Sequence, residues 1–256
     1  MNNLKLFVLL IFSMVLNFAE AEVWHATNTW DRQWEKEYET WVARTLRTDT
    51  FSGDEGLLAG IPTDCADALY DIRIQFAYEN SLPFVINAPD VLRDKMKTFG
   101  SDTSMFDNIK DERKRVRAFI NYVNDEVGTE NLTHDTFPVK ISEINAGIVY
   151  HVIWFLFGKE EHHSYILKGF NADRELVYYA SDAPRKVRKL QIDTPFPRFS
   201  YDSSPYGFRR WRHPEHLLIK ENEIPEEYGY SREQYDLANR LGKKEILKEI
   251  RRRLQK

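Results

Sequence analysis

The sequence predicts an α+β fold in which helices pack against an antiparallel β-sheet, and three stretches carry that expectation. Cys65, Leu69, Ile72 and Phe76 fall at offsets of 4, 7 and 11, the spacing of one apolar helical face. Residues 160–184, EEHHSYILKGFNADRELVYYASDAP, hold two runs of strand formers joined by the turn residues Asn171-Ala172-Asp173, the pattern of a β-hairpin. Residues 24–46 set Trp30, Trp34, Tyr38 and Trp41 at spacings of four, four and three, an aromatic stripe along an amphipathic helix.

In chain order, the first element is a leader. Residues 1–21, MNNLKLFVLLIFSMVLNFAEA, place Lys5 before an apolar run from Leu6 to Leu16 and end on Ala19 and Ala21 in an A-x-A arrangement. That is the pattern of a cleavable signal peptide, and the run is too short for the ~20 residues of a membrane-spanning helix. The expected location is therefore secreted or periplasmic. The remaining roughly 235 residues suffice for one full-sized domain with appendages. A formal charge of −4 over 256 residues, with no long basic block before the C-terminal tail, argues against nucleic acid as a partner. We expect an N-terminal helical segment (22–57), a core (58–195) with a helical insertion at about 90–130, and a loop and C-terminal helix (196–256) packing on the core. The aromatic helix is expected to dock through its stripe, a sugar-binding platform being the alternative.

Cys65 is the only cysteine of the chain. In an oxidising compartment it has no internal disulfide partner, which leaves an inert buried thiol, an intermolecular bridge or a reactive nucleophile. Its setting favours the last. Pro62 and the capping residues Thr63 or Asp64 precede it, so it opens a helix that should end near residues 78–80, before Pro83. In the first turn of a helix, unpaired N–H groups and the dipole favour a thiolate.

Such a nucleophile needs a base from elsewhere in the chain. The hairpin supplies His162 and His163, which alternation places on opposite faces without selecting one. Asp182, at the end of the return strand, is placed to accept the second ring N–H of a histidine, and equally to serve a turn before Pro184.

TDCAD opening a helix, then INAGIVYHV and HHSYILKGF as strands, resembles the NlpC/P60 cysteine peptidases of the papain-like hydrolase superfamily. The resemblance covers about residues 58–185. It implies that Cys65 is the nucleophile and His163 the general base, in a core whose Cys-bearing helix packs on a His-bearing antiparallel sheet. It further implies amide hydrolysis in peptidoglycan peptides, without a cofactor. Asp64 and Tyr179 become candidate substrate-binding positions beside the nucleophile and the return strand. Three features depart from the family. Ala146-Gly147-Ile148 lacks the acidic residue of the family's approach segment. The long gap between Cys65 and His163 implies an insertion, assigned to the charged helical stretch 111–126. The third polar residue is either Tyr179, where VYYAS stands in place of IHAS, or Asp182, whose Cys, His, Asp order is closer to transglutaminase-like proteases.

The remaining segments are read from composition. Residues 197–217 mix Pro, Gly, aromatics and arginines and predict an ordered loop. Its Arg209, Arg210 and Arg212 are candidates to clamp a substrate carboxylate, a solvated loop being the competing expectation. His213 and His216, without a further Cys or clustered acid in the sequence nearby, do not predict a zinc site. Residues 231–256 predict one helix with Leu237, Leu241, Leu247, Ile250 and Leu254 apolar. Its basic end is a candidate contact with an acidic envelope surface. The oligomeric state is left open.

Overall fold

Alternating strand formers in residues 149–180 build the centre of the molecule. In a computed structural model, which describes residues 22–87, 98–156, 159–193, 204–242 and 245–255, strand β4 (Val149–Leu156) pairs with β5 (Lys159–Phe170) from Val149↔Ile166 to Leu156↔Lys159. The chain turns through Asn171, whose Oδ1 accepts from the Glu175 N–H at 2.8 Å, and returns as β6 (Leu176–Ala180). Strands β3 (Thr136–Pro138), β7 (Gln191–Asp193) and β8 (Gly207–Trp211) complete a six-stranded antiparallel sheet ordered β3-β8-β4-β5-β6-β7. A separate ribbon pairs β1 (Val85–Asn87) with β2 (Thr98–Gly100). The fold is thus mixed α+β. The leader at 1–21, the insertion's 90–97 and the loop's 196–203 lie outside the described residues.

The sheet has two covered faces, as period-two side-chain alternation requires. On one, Val149 and Ile166 join the core of helices α1 (Arg32–Thr45), α2 (Cys65–Glu79) and α3 (Glu112–Glu126). On the other, Tyr150, Val152, Tyr165, Leu167, Tyr178 and Phe208 pack with α5 (Glu233–Leu241) and α6 (Ile246–Leu254), which follow the one-turn α4 (Leu132–Asp135). Helix α2 is buried nearly all round, the state of a helix walled in by neighbours. Leu69, Ile72 and Phe76 are at most 2% exposed, each burial worth about 1.5–3 kcal/mol. The helix ends at Glu79 on the cap Asn80, within the expected range.

The aromatic helix docks through its stripe. Asp31 caps α1 by accepting from the Trp34 N–H at 2.8 Å, so Trp30 precedes the helix. Tyr38 is buried, and Trp34 and Trp41 meet Phe76 with ring centroids 6.4 and 5.6 Å apart. Gly147 takes φ +82°, and a Cβ there would lie 2.8 Å from Tyr38 Cε1. Gly147→Ala is therefore expected to lose about 1–3 kcal/mol through overpacking and left-handed backbone strain, read as a lower urea midpoint. The charged stretch forms α3, capped by Asp111 Oδ1 accepting from the Lys114 N–H at 2.8 Å.

Two expectations are corrected. The 197–217 segment contains β8, so Arg209 and Arg210 belong to a strand. The C-terminal helix is two helices, because Gly242 at φ +80° ends α5. The break turns Leu241 to solvent, 39% exposed. The basic end of α6 is internally paired, with Arg252 and Arg253 on Glu249 and Arg253 also on Glu233 at 2.6 Å. Among the described residues, no helix is long and apolar enough to cross a membrane.

Candidate functional site

Local chemistry fixes where Cys65 sits. Of the two candidate caps, Asp64 takes the role: its Oδ1 accepts from the N–H groups of Ala66 at 2.9 Å and Asp67 at 3.1 Å. Asp67 Oδ2 accepts in return from the Asp64 N–H at 3.0 Å, closing a capping box. Thr63 turns the other way, donating from Oγ1 to Ser181 Oγ at 3.0 Å, while Ser181 Oγ donates to the Thr63 carbonyl at 3.1 Å. Asp64, a candidate substrate contact, is thereby committed to its helix.

These contacts place the thiol where the sheet splays. Strands β5 and β6 are in register at Ile166↔Tyr179. Continued, that register sets Ser164 opposite Ser181 and His163 opposite Asp182, but β6 ends at Ala180 and the chain before α2 runs alongside Ser181. Cys65 Sγ lies 3.6 Å from Thr129 Oγ1, beside the backbone N–H and hydroxyl of Ser164. The Ser164 hydroxyl faces the sulfur without closing a hydrogen bond of normal geometry. Cys65 is 7% exposed.

One residue along β5, His163 Nε2 lies 3.4 Å from Asp182 Oδ1. This separation is somewhat longer than an optimal N–H···O bond. Asp182 is steadied by Gln191, whose Nε2 donates to Oδ2. The His163 ring meets Tyr165 edge-on at 4.5 Å on the face of the second core. Between the two candidates for a third residue, Asp182 is the one on His163. Tyr179 stands across from Ile166 on the α2 face, packed against that core. His162 shares that face and lies near His151, ring centroids 5.9 Å apart. The structure thus brings His163 and Asp182 together, and gives the thiol Thr129 and Ser164 as its neighbours.

The thiol's electrostatics differ from expectation. Burial pushes the Cys65 pKa up, and the Asp64 carboxylate adds to the rise, while Thr129 and Ser164 offset part of it. Further carboxyls crowd the first turns of α2. Asp67 is raised to about 7 by burial and by Asp64, even with Arg185 Nε 3.3 Å away, and Asp71 is raised well above the ordinary range, chiefly by burial. A helix start of this composition holds a thiol, since desolvation and like charge outweigh the dipole.

His151 was not singled out from the sequence. It pairs with Ser164 across the strands, is fully buried, and has both ring nitrogens without a hydrogen-bond partner. Burial, with Arg209 nearby, lowers its pKa to about 3, so the ring is neutral. Its strand register reveals it; the signal in the sequence is its spacing of two from Val149 in IVYHV, which puts both on one face of a strand.

The arginine clamp is corrected. Arg209 is fully buried and donates to Thr136 Oγ1 at 2.8 Å, the Thr136 carbonyl at 2.7 Å and Glu221 at 2.8 Å. Arg210, 3% exposed, pairs with Glu39 at 3.0 Å and Glu143 at 3.1 Å. Both tie β8 to its surroundings, because β8 lies inside the sheet between β3 and β4. Arg212 likewise serves the carbonyls of His216 and Ile219, at 3.0 and 2.7 Å. Compared with known protein families, with curated proteins and with solved structures, the chain finds no match.

Proposed function

We propose that the protein is a cysteine hydrolase with a papain-like, NlpC/P60-type core, exported to cleave amide bonds in peptidoglycan peptides. The observation that carries the reading is the splay between β5 and β6. There Cys65, opening α2, lies beside Ser164, the residue that follows His163 on β5, and His163 Nε2 is 3.4 Å from Asp182 Oδ1. The substrate class comes from the family resemblance and from the leader.

In this reading His163, held at Nε2 by Asp182 on the sheet face opposite α2, must turn its other ring nitrogen past Ser164 to take the Cys65 proton as sulfur attacks the amide carbon. The N–H of Cys65, which the Asp64 cap does not take, donates to the oxyanion. Collapse breaks the C–N bond, and the imidazolium gives its proton to the leaving amine. Water, deprotonated by His163, then hydrolyses the thioester and restores the thiol. The elevated thiol pKa favours proton transfer during attack over a standing thiolate. A transglutaminase-like acyl transfer uses the same residues, and the Cys, His, Asp order favours it as the second reading. An added amine then replaces water and appears in the product.

Iodoacetamide labelling of the folded mature protein between about pH 4 and 10 tests the nucleophile. Cys65 is expected to label in the folded state, with a midpoint above the ~8.5 of a free thiol. Labelling only at the rate of global unfolding would mean a structural thiol and a non-enzymatic envelope-binding domain. Release of peptides from purified peptidoglycan then tests the substrate.

A further inference from the structure

The strand β8 ends at Trp211, and after Arg212 and His213 the chain makes a single turn, Pro214–His216, in which the His216 N–H donates to the His213 carbonyl at 2.9 Å. This turn stacks the two imidazoles, centroids 5.7 Å apart with planes 14° from parallel. His213 is 1% exposed and His216 7%, while the Glu215 side chain is exposed. One donor atom from each of His213, Glu215 and His216 lies within 4.8 Å of the other two.

The hydrogen bonds around the cluster leave it unfinished. His213 Nε2 is 3.1 Å from Glu35 Oε1, and Glu35 is paired with the Arg73 guanidinium on both its oxygens. A carboxylate at Nε2 fixes the proton there and leaves a lone pair on Nδ1. That lone pair faces Glu215 Oε1 at 3.5 Å, acceptor against acceptor, and Nδ1 has no hydrogen-bond partner. His216 Nδ1 is also buried and without one. Each histidine thus has a buried ring nitrogen without a hydrogen-bond partner, in a cluster whose third member is a carboxylate. Behind them stands the carboxylate–histidine pair that commonly orients a metal-ligating imidazole.

We propose that His213, Glu215 and His216 bind one divalent transition-metal ion of the zinc class. Two nitrogens and one carboxylate oxygen suit zinc and its neighbours and disfavour magnesium and calcium, which take oxygen ligands. Three protein ligands leave a fourth position for water. Metal–ligand bonds of about 2.0–2.2 Å bring tetrahedral donors to roughly 3.4 Å from one another. The flexible, exposed Glu215 supplies that closure. The sequence showed two histidines three residues apart. The turn that stacks them and the remote Glu35 behind them make the donor set. Through Glu35 and Arg73 the ion would fasten the end of β8 to α1 and α2.

The rival is a doubly protonated His213 lodged between Glu35 and Glu215 with no metal. The test is metal content and competition against a chromophoric chelator, using zinc chloride with full-length mature Cys65→Ser protein so that the thiol takes no part. We expect one zinc per chain, retained in His163→Ala and weakened at least about tenfold in Glu215→Ala and His216→Ala. Cobalt in place of zinc should give the visible absorption of a four-coordinate site. Circular dichroism of the metal-free variants checks folding, and the exposed Glu215→Ala decides the matter if His216→Ala does not fold. No bound zinc, or zinc binding unchanged in Glu215→Ala, would overturn the proposal.

Discussion

In the proposed hydrolase Cys65→Ala is expected to abolish amide cleavage, with a loss of about 10⁴-fold or more in kcat, while the protein still folds. Removing one small buried group costs about 1 kcal/mol, so the circular dichroism melt should move by only a few degrees. Cys65→Ser, which preserves size, should be equally inactive, because a hydroxyl is far harder to deprotonate than a thiol. A purely structural thiol predicts the opposite: Cys65→Ser retains function and Cys65→Ala costs only stability. Asp182→Asn separates the two further. In the enzyme it lowers kcat by misplacing the His163 proton, whereas at a part-exposed position beyond the end of β6 its effect on stability is small. Turnover measured on peptidoglycan peptides, beside a melt of each variant, distinguishes these outcomes.

The largest stability effect is expected at Glu35. Its carboxylate is 3% exposed and takes the guanidinium of Arg73, itself 2% exposed, on one side and His213 on the other. Arg73 also lies over the Trp30 ring, 3.5 Å from its centroid. Glu35→Ala would leave that guanidinium buried and uncompensated, for an expected loss of about 3–5 kcal/mol, read from the urea midpoint. The pH dependence follows from the same contacts. Burial by itself raises the Glu35 carboxyl, but Arg73 and His213 bring it down to about 2, below the ~4.3 of an unfolded glutamate. A depressed folded pKa means that the stabilisation is full above about pH 4.3 and is lost as pH falls towards 2. Asp67 acts in reverse. Its folded pKa of about 7 exceeds the unfolded value of ~3.9, so its contribution is greatest below about pH 4 and is lost between there and about 7. The acid limb of a stability profile should therefore flatten in Glu35→Gln, and the limb between pH 4 and 7 in Asp67→Asn.

The elements whose signals are local were legible in the amino-acid order. Asp64 and the apolar offsets after Cys65 specified a helix opening at the cysteine. Alternation and the Asn171 turn specified the hairpin, and Asp111 the start of α3. A cap, a turn and a period are interactions within a few residues, so the string of letters contains both partners. What faces what was decided by the tertiary structure alone. Packing put His163 beside Asp182, set His151 across from Ser164 and buried Arg209 and Arg210 in β8, where composition pointed to a loop. It also set the state of the thiol. The helix start favours an anion, but burial and the Asp64 carboxylate favour the neutral form, and only the packed structure sets the balance. At His213 and His216 the decisive partner is Glu35, 178 positions away from His213. Desolvation and long-range pairing have no sequence period, and they decide whether a cysteine, a histidine or a carboxylate carries out chemistry.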